Sequence, residues 1–99
     1  MQFKFDGGAG QVALSGEFTF TDHVSFKDLV TRLIEADLPQ IVIDLTKLDF
    51  IDSAGLGMLL LVREAAGKAS RKVVLRGPHG QVKRMFDITK FNMLFAVEQ

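Results

Sequence analysis

The sequence predicts a mixed α/β fold with its elements in the order β-β-α-β-α-β-α-β. Three observations predict it: an alternating apolar pattern broken by glycines at the start, a continuous β-branched run in the middle, and segments of helical period on either side of that run. Phe3 and Phe5 alternate with Gln2 and Lys4, Asp6-Gly7-Gly8 supplies turn chemistry, and Val12 and Leu14 alternate again before Gly16, which reads as an N-terminal hairpin. In residues 25–39, SFKDLVTRLIEADLP, the apolar Phe26, Leu29, Val30, Leu33 and Ile34 recur at helical spacing. Ser25 and Asp28 offer a capping-box variant at its start, and Pro39 stops the helix by disfavouring the α conformation at Leu38. Residues 41–45, IVIDL, have the composition of a central strand buried on both faces. A second helix ends near Gly67, residues 73–75 form another strand, and Gly77-Pro78 opens a third helix with proline at its first position. Val82, Met85 and Phe86 supply that helix with its inner stripe, and residues 93–97 close as the last strand. The alternation of strand and helix after Gly16 implies parallel strands joined by right-handed crossovers, with the helices packed on a mixed sheet.

Composition narrows the function. Ninety-nine residues, 47% hydrophobic, fit one compact domain spanning 1–99 and leave no length for a second. Twelve basic and twelve acidic residues cancel, so no global field draws the chain to nucleic acid or to an anionic membrane, and a protein is the expected partner. The absence of cysteine excludes a disulfide framework and a thiolate site, and the start MQFKF lacks the pattern of a secretion signal, which predicts a cytoplasmic protein. The apolar run at residues 58–62 is far shorter than the roughly 20 residues that cross a bilayer, so no direct membrane insertion is expected.

Residues 48–66, LDFIDSAGLGMLLLVREAA, hold the feature that composition does not explain: a serine and two glycines at the mouth of an apolar helix. A glycine costs roughly 1 kcal/mol relative to alanine in a helix interior, so helix formation alone does not select Gly55 and Gly57. Asp52 and Ser53 are both competent to cap the helix. On a helical wheel Ser53, Leu56, Gly57, Leu60, Arg63, Glu64, Gly67 and Lys68 share one half of the cylinder, while Met58, Leu59, Val62, Ala65, Ala66 and Ala69 form a core stripe without them, Leu61 lying near the boundary. Leu56 and Leu60 beside glycines, next to an N-terminal serine, read as a docking patch that a partner approaches closely. Phe18 and Phe20, in the connection between the second strand and the first helix, serve either as core lids or as part of that contact surface. A serine at a helix start is also a suitable phosphate acceptor. The free N–H groups and positive helix end tolerate an added charge of about −2, whereas an apolar partner surface does not.

The string FIDSAGLGMLLL resembles the phosphorylatable motif of anti-sigma factor antagonists of the STAS domain family, in which Asp-Ser is followed by a small residue and then Gly-Leu. The similarity extends over nearly the whole chain, through Gly16-Glu17, VIDLTKLDFIDSAGLG and VKRMFDITKF. The resemblance implies a single STAS-like domain without catalytic residues, cofactor or metal, in which Ser53 is phosphorylated by a cognate anti-sigma factor serine kinase and restored by a metal-dependent phosphatase. Asp52 is the acidic neighbour of that serine in the motif, and with the docking patch read from the wheel the expected contact set in the unmodified state is Asp52, Ser53, Ala54, Gly55, Leu56, Gly57, Leu60 and Glu64, with Phe18 and Phe20. Other relatives in the family serve as accessory subunits of lipid transport systems or as tails of anion transporters, which gives an alternative role. The chain departs from the family at Thr19, where many members carry aspartate, and at Lys90, a place often taken by glycine.

Rival chemistries find less support. A nucleophile elbow needs Gly-x-Ser-x-Gly, but Ile51 stands at the first glycine and only His23 and His79 are available as bases. Gly55-x-Gly57 lacks the remainder of a phosphate-binding loop. A receiver domain would use Asp44 or Asp52 as acceptor with an acidic pair from the first strand, and that strand offers Asp6 alone.

Overall fold

The computed structural model describes residues 1–6, 10–36 and 38–98. They form a five-stranded sheet in the order β1-β2-β3-β4-β5. Strands β1 (Gln2–Asp6) and β2 (Gln11–Phe18) pair antiparallel, and β3 (Gln40–Ile51), β4 (Lys72–Arg76) and β5 (Ala96–Glu98) continue the sheet in parallel. Helices α1 (His23–Glu35), α2 (Ser53–Lys68) and α3 (Gly80–Thr89) lie between the parallel strands in sequence. The predicted order is observed, with the N-terminal hairpin at one edge. The turn chemistry assigned to Gly7-Gly8 lies outside the described residues.

Register explains which residues meet the helices. Phe5, Val12, Ile43, Leu75 and Val97 stand in one row across the sheet. All five belong to or pack against the core that also holds Phe26 and Leu33 of α1, Leu59 and Val62 of α2, and Phe86 of α3. Successive residues point to opposite faces of a strand, so the neighbouring row of Ala13, Asp44, Arg76 and Glu98 faces away from that core, and Arg76 pairs with Glu98 at 3.1 Å. Arg71 fastens α1 to the sheet by donating to the carbonyls of Leu33 and Ile34 at the helix end.

Four boundaries differ from the periodicity. A 3₁₀ turn at Phe20–Asp22 precedes α1, so the helix starts at His23, and Ser25 lies inside it instead of capping it. Strand β3 is more than twice as long as the IVIDL run, because its polar-looking half pairs with the end of β2 through a register shift at Gly16, whose φ of +81° favours glycine. Pro78 lies before the N-cap residue His79, not inside α3, because Gly77 takes a positive φ and turns the chain first. Residues 91–93 form a 3₁₀ turn and β5 begins only at Ala96. That turn stacks Phe91 between Phe86 and Phe95, with ring centroids 5.3 and 5.4 Å apart. Lys90 closes α3 in the left-handed region at φ 59°, a conformation that suits glycine at that place better than lysine.

Candidate functional site

The site is built where β3 hands over to α2. Asp52 is extended and caps the helix: one carboxylate oxygen accepts from the Gly55 N–H at 2.8 Å, and the other accepts from the Phe20 N–H at 3.2 Å. Its own N–H donates to the Phe18 carbonyl at 3.2 Å. On the other side, the Gln81 side chain holds Ile51 by accepting from its N–H and donating to its carbonyl, both at 2.9 Å. The end of β2 and the first turn of α3 therefore pin the handover from both sides. No feature of the sequence marks Gln81 for this task.

Of the two candidate caps, the structure uses Asp52. Ser53 is the first helical residue, exposed, and its hydroxyl makes no hydrogen bond among the described residues. A group with no internal duty stands at the positive end of a sixteen-residue helix.

The two glycines have different causes. A Cβ on Gly55 would sit 2.7 Å from the Phe18 carbonyl oxygen and 2.7 Å from Ile51 Cγ1, so only glycine lets the first turn of α2 press on the end of β2. This replaces the expectation that Gly55 gives a partner access, since it is buried inside the chain. Gly57 is exposed, and a Cβ there would meet nothing within 4 Å.

The exposed face of α2 is rotated from the wheel reading. Leu56 is 6% exposed and belongs to the core, and Phe18 is fully buried against Phe26 with ring centroids 4.7 Å apart. Leu56 offers no apolar area to a partner as expected, because α2 turns it inward and brings Leu61 outward, and Phe18 takes the core-lid alternative instead of the contact surface. Leu61 is 54% exposed and Leu60 39% exposed. Ser53, Gly57, Leu60, Leu61 and Glu64 make up the outer strip, Ala54 is half-buried beside it, and Glu64 faces Lys68 at 3.7 Å. An apolar groove between α1 and α2, lined by Phe26, Val30, Met58, Leu61 and Ala65 together with His23 and Lys27, shares Leu61 with this strip.

Phe20 is 70% exposed on the 3₁₀ turn, whose base is fixed by Asp22. The Asp22 carboxylate accepts from the Thr19 N–H at 2.9 Å and from the α-amino group of Met1 at 2.8 Å. Burial alone would raise its pKa. The bonds from the amine and from Thr19, with the amine's positive charge, outweigh burial and hold the carboxyl below the ordinary carboxylate value. Of the two histidines, His79 contacts the Thr46 carbonyl at 2.7 Å and His23 lines the α1–α2 groove. Among the described residues no three His, Asp or Glu side chains gather as metal ligands, and no helix is long and apolar enough to cross a membrane.

Comparison with known proteins gives the family and the fold. A family model described as STAS domain matches residues 1–99. A STAS-domain containing protein of Pseudomonas aeruginosa strain UCBPP-PA14 is 33% identical over 93 residues, covering 93% of this chain and 90% of the relative. Among solved structures, an anti-sigma factor antagonist from Mycobacterium paratuberculosis is 26% identical, with a TM-score of 0.75 over 98% of this chain and 82% of that one. A putative anti-sigma factor antagonist from Thermotoga maritima superposes with a TM-score of 0.81 at 18% identity, over 99% and 85% of the two chains. A sulfate transporter family protein from Wolinella succinogenes shares the fold with a TM-score of 0.76 at 18% identity, over 89% and 74%.

Proposed function

The chain belongs to the STAS domain family, and from that premise we propose that it is a non-enzymatic anti-sigma factor antagonist switched by phosphorylation of Ser53. The observation that carries this reading is the division of labour at the handover: Asp52 takes the cap, which leaves the Ser53 hydroxyl exposed and uncommitted beside an apolar strip. In the unmodified state the strip and Phe20 bind an anti-sigma factor with serine kinase activity, and the regulator held by that factor is released. The kinase then transfers the terminal phosphoryl group of ATP to Ser53 Oγ; the new O–P bond replaces the bond to ADP, and the hydroxyl proton leaves. A dianion at the start of α2 is tolerated by the positive helix end, while a partner surface that must be desolvated against it is not. A metal-dependent phosphatase reverses the step.

Intact mass decides the modification. Incubation with the cognate kinase and ATP should add one phosphate to the wild type and none to Ser53→Ala, and the ester should survive acid and resist hydroxylamine. An acyl phosphate on Asp44 or Asp52 would instead be cleaved by hydroxylamine. Ser53→Asp should weaken partner binding in titration calorimetry, whereas equal or tighter binding would mean that charge recruits the partner. The fold shared with a sulfate transporter family protein gives the second reading, in which the partner is part of a transport complex; identification of the protein that co-purifies with the native chain separates the two.

A further inference from the structure

A helix N-cap needs one acceptor, and serine, asparagine or threonine supplies it nearly as well as aspartate. Asp52 has two, and only one of them caps α2. The second accepts from the N–H of Phe20, a residue 32 positions earlier whose ring stands 70% exposed. Without that bond the Phe20 N–H would lose its acceptor, and the 3₁₀ turn would rest on the Asp22 carboxylate, which accepts from the Thr19 N–H and the Met1 α-amino group, and on the Asp22 N–H donating to the Thr19 carbonyl. Met1 thus ties the turn at Asp22, and the Asp52 carboxylate ties it at Phe20 to the first turn of α2. Leaving an aromatic ring exposed forgoes the stabilisation of its burial, so fixing its backbone serves something beyond the core.

We infer that Asp52 is a positioning residue that holds Phe20 at a set place relative to Ser53, so that the docking surface has two parts read together. One part is the strip of Ser53, Gly57, Leu60 and Leu61 on α2. The other is the Phe20 ring, which fits a partner with an apolar pocket for an aromatic side chain beside the spot that meets the serine. The inference rests on the proposed partner-binding role of this face. It adds a division of work within the motif: Ser53 carries the charge change, and Asp52 fixes the distance between that charge and the aromatic anchor.

Amide hydrogen exchange on the isolated chain, followed residue by residue by NMR, tests the join without any partner. Asp52→Ser keeps a capping oxygen for the Gly55 N–H but cannot also reach Phe20. The Phe20 amide should then exchange about tenfold faster or more, as expected for losing a hydrogen bond to a charged acceptor. Gly55 and the melting temperature should stay close to wild type. Unchanged Phe20 exchange overturns the inference, and so does a parallel rise at Gly55 and Phe20, which would make Asp52 a cap and nothing more. Should the serine variant fail to fold, Asp52→Asn serves, since its single carbonyl oxygen cannot satisfy both amides; wild-type exchange at both would refute the join. The second arm uses the protein that co-purifies with the wild type. Asp52→Ser and Phe20→Ala should each weaken its binding, and together no more than Phe20→Ala alone, whereas additive losses would show that Asp52 does not act through Phe20. If nothing co-purifies, the partner reading fails by itself, while the exchange data still decide the join.

Discussion

Gly55 and Gly57 lie two positions apart on one helix, and the two sides of α2 on which they lie obey different physics. On the inner side, Gly55 and Leu56 are shaped by what the chain itself presses against them: the Phe18 carbonyl, Ile51 and the core. On the outer side, Ser53 and Gly57 are exposed, Leu60 and Leu61 are partly so, and nothing among the described residues accounts for a glycine at 57. A motif that looks uniform in sequence thus combines a packing requirement with a surface requirement. Only the second bears on the proposed partner.

The comparison breaks most visibly at Leu56. As a core residue, Leu56→Ala should lower stability by about 2–5 kcal/mol, measured by urea unfolding, and so threaten a domain of this size. Retained stability with lost binding would return Leu56 to the docking face and dissolve the distinction. Gly55→Ala comes next. Its Cβ would strike backbone and a strand side chain, so overpacking of about 1–3 kcal/mol is expected in the same assay. An alanine accommodated at no cost would mean that α2 can shift on β2, and that Gly55 is not the contact that sets their distance.

How far the sequence revealed this division follows from what each signal measures. Element order was legible because apolar period distinguishes Phe26, Leu29 and Leu33 of α1 from the IVIDL run of β3. The Ser53 motif was legible because its residue types are unusual together. The phase of α2 was not. Glycines and alanines occupy much of its surface, so the wheel has no sharp apolar edge, and a small rotation exchanges Leu56 for Leu61. The two roles open to Phe18 and Phe20 divide between them, because β2 runs through the Gly16 register shift to its end and places the Phe18 ring on the core side, while Phe20 on the following turn stays outside. The Asp52–Phe20 and Gln81–Ile51 bonds join positions about thirty residues apart, and local pattern carries no trace of such pairs.

The outer side is sharpened by Leu60→Ser with Leu61→Ser. Both side chains are already partly in water, so the double variant should keep its melting temperature within a few degrees. If a partner buries them, binding should fall by at least about tenfold, since a leucine fully removed from water contributes about 1.5–3 kcal/mol. A large loss of stability would show that the strip is an extension of the core. Unchanged binding would move the docking face away from α2.

Gly57→Ala has the smallest effect and separates the two sides most cleanly, because stability and binding should move in opposite directions. Gly57 lies within α2, and an added methyl group meets nothing. Alanine should therefore stabilise the isolated chain by up to about 1 kcal/mol, the difference in helix propensity, raising the melting temperature slightly. In the complex the same methyl group stands one turn beyond Ser53, where a partner backbone or small side chain can come close only to a bare Cα. Binding should weaken although the free protein is firmer. If both stability and binding rise, the glycine is no contact point and the partner passes Ser53 from the Phe20 side. If stability falls, the surface at Gly57 is covered by the chain after all, and the contrast with Gly55 disappears.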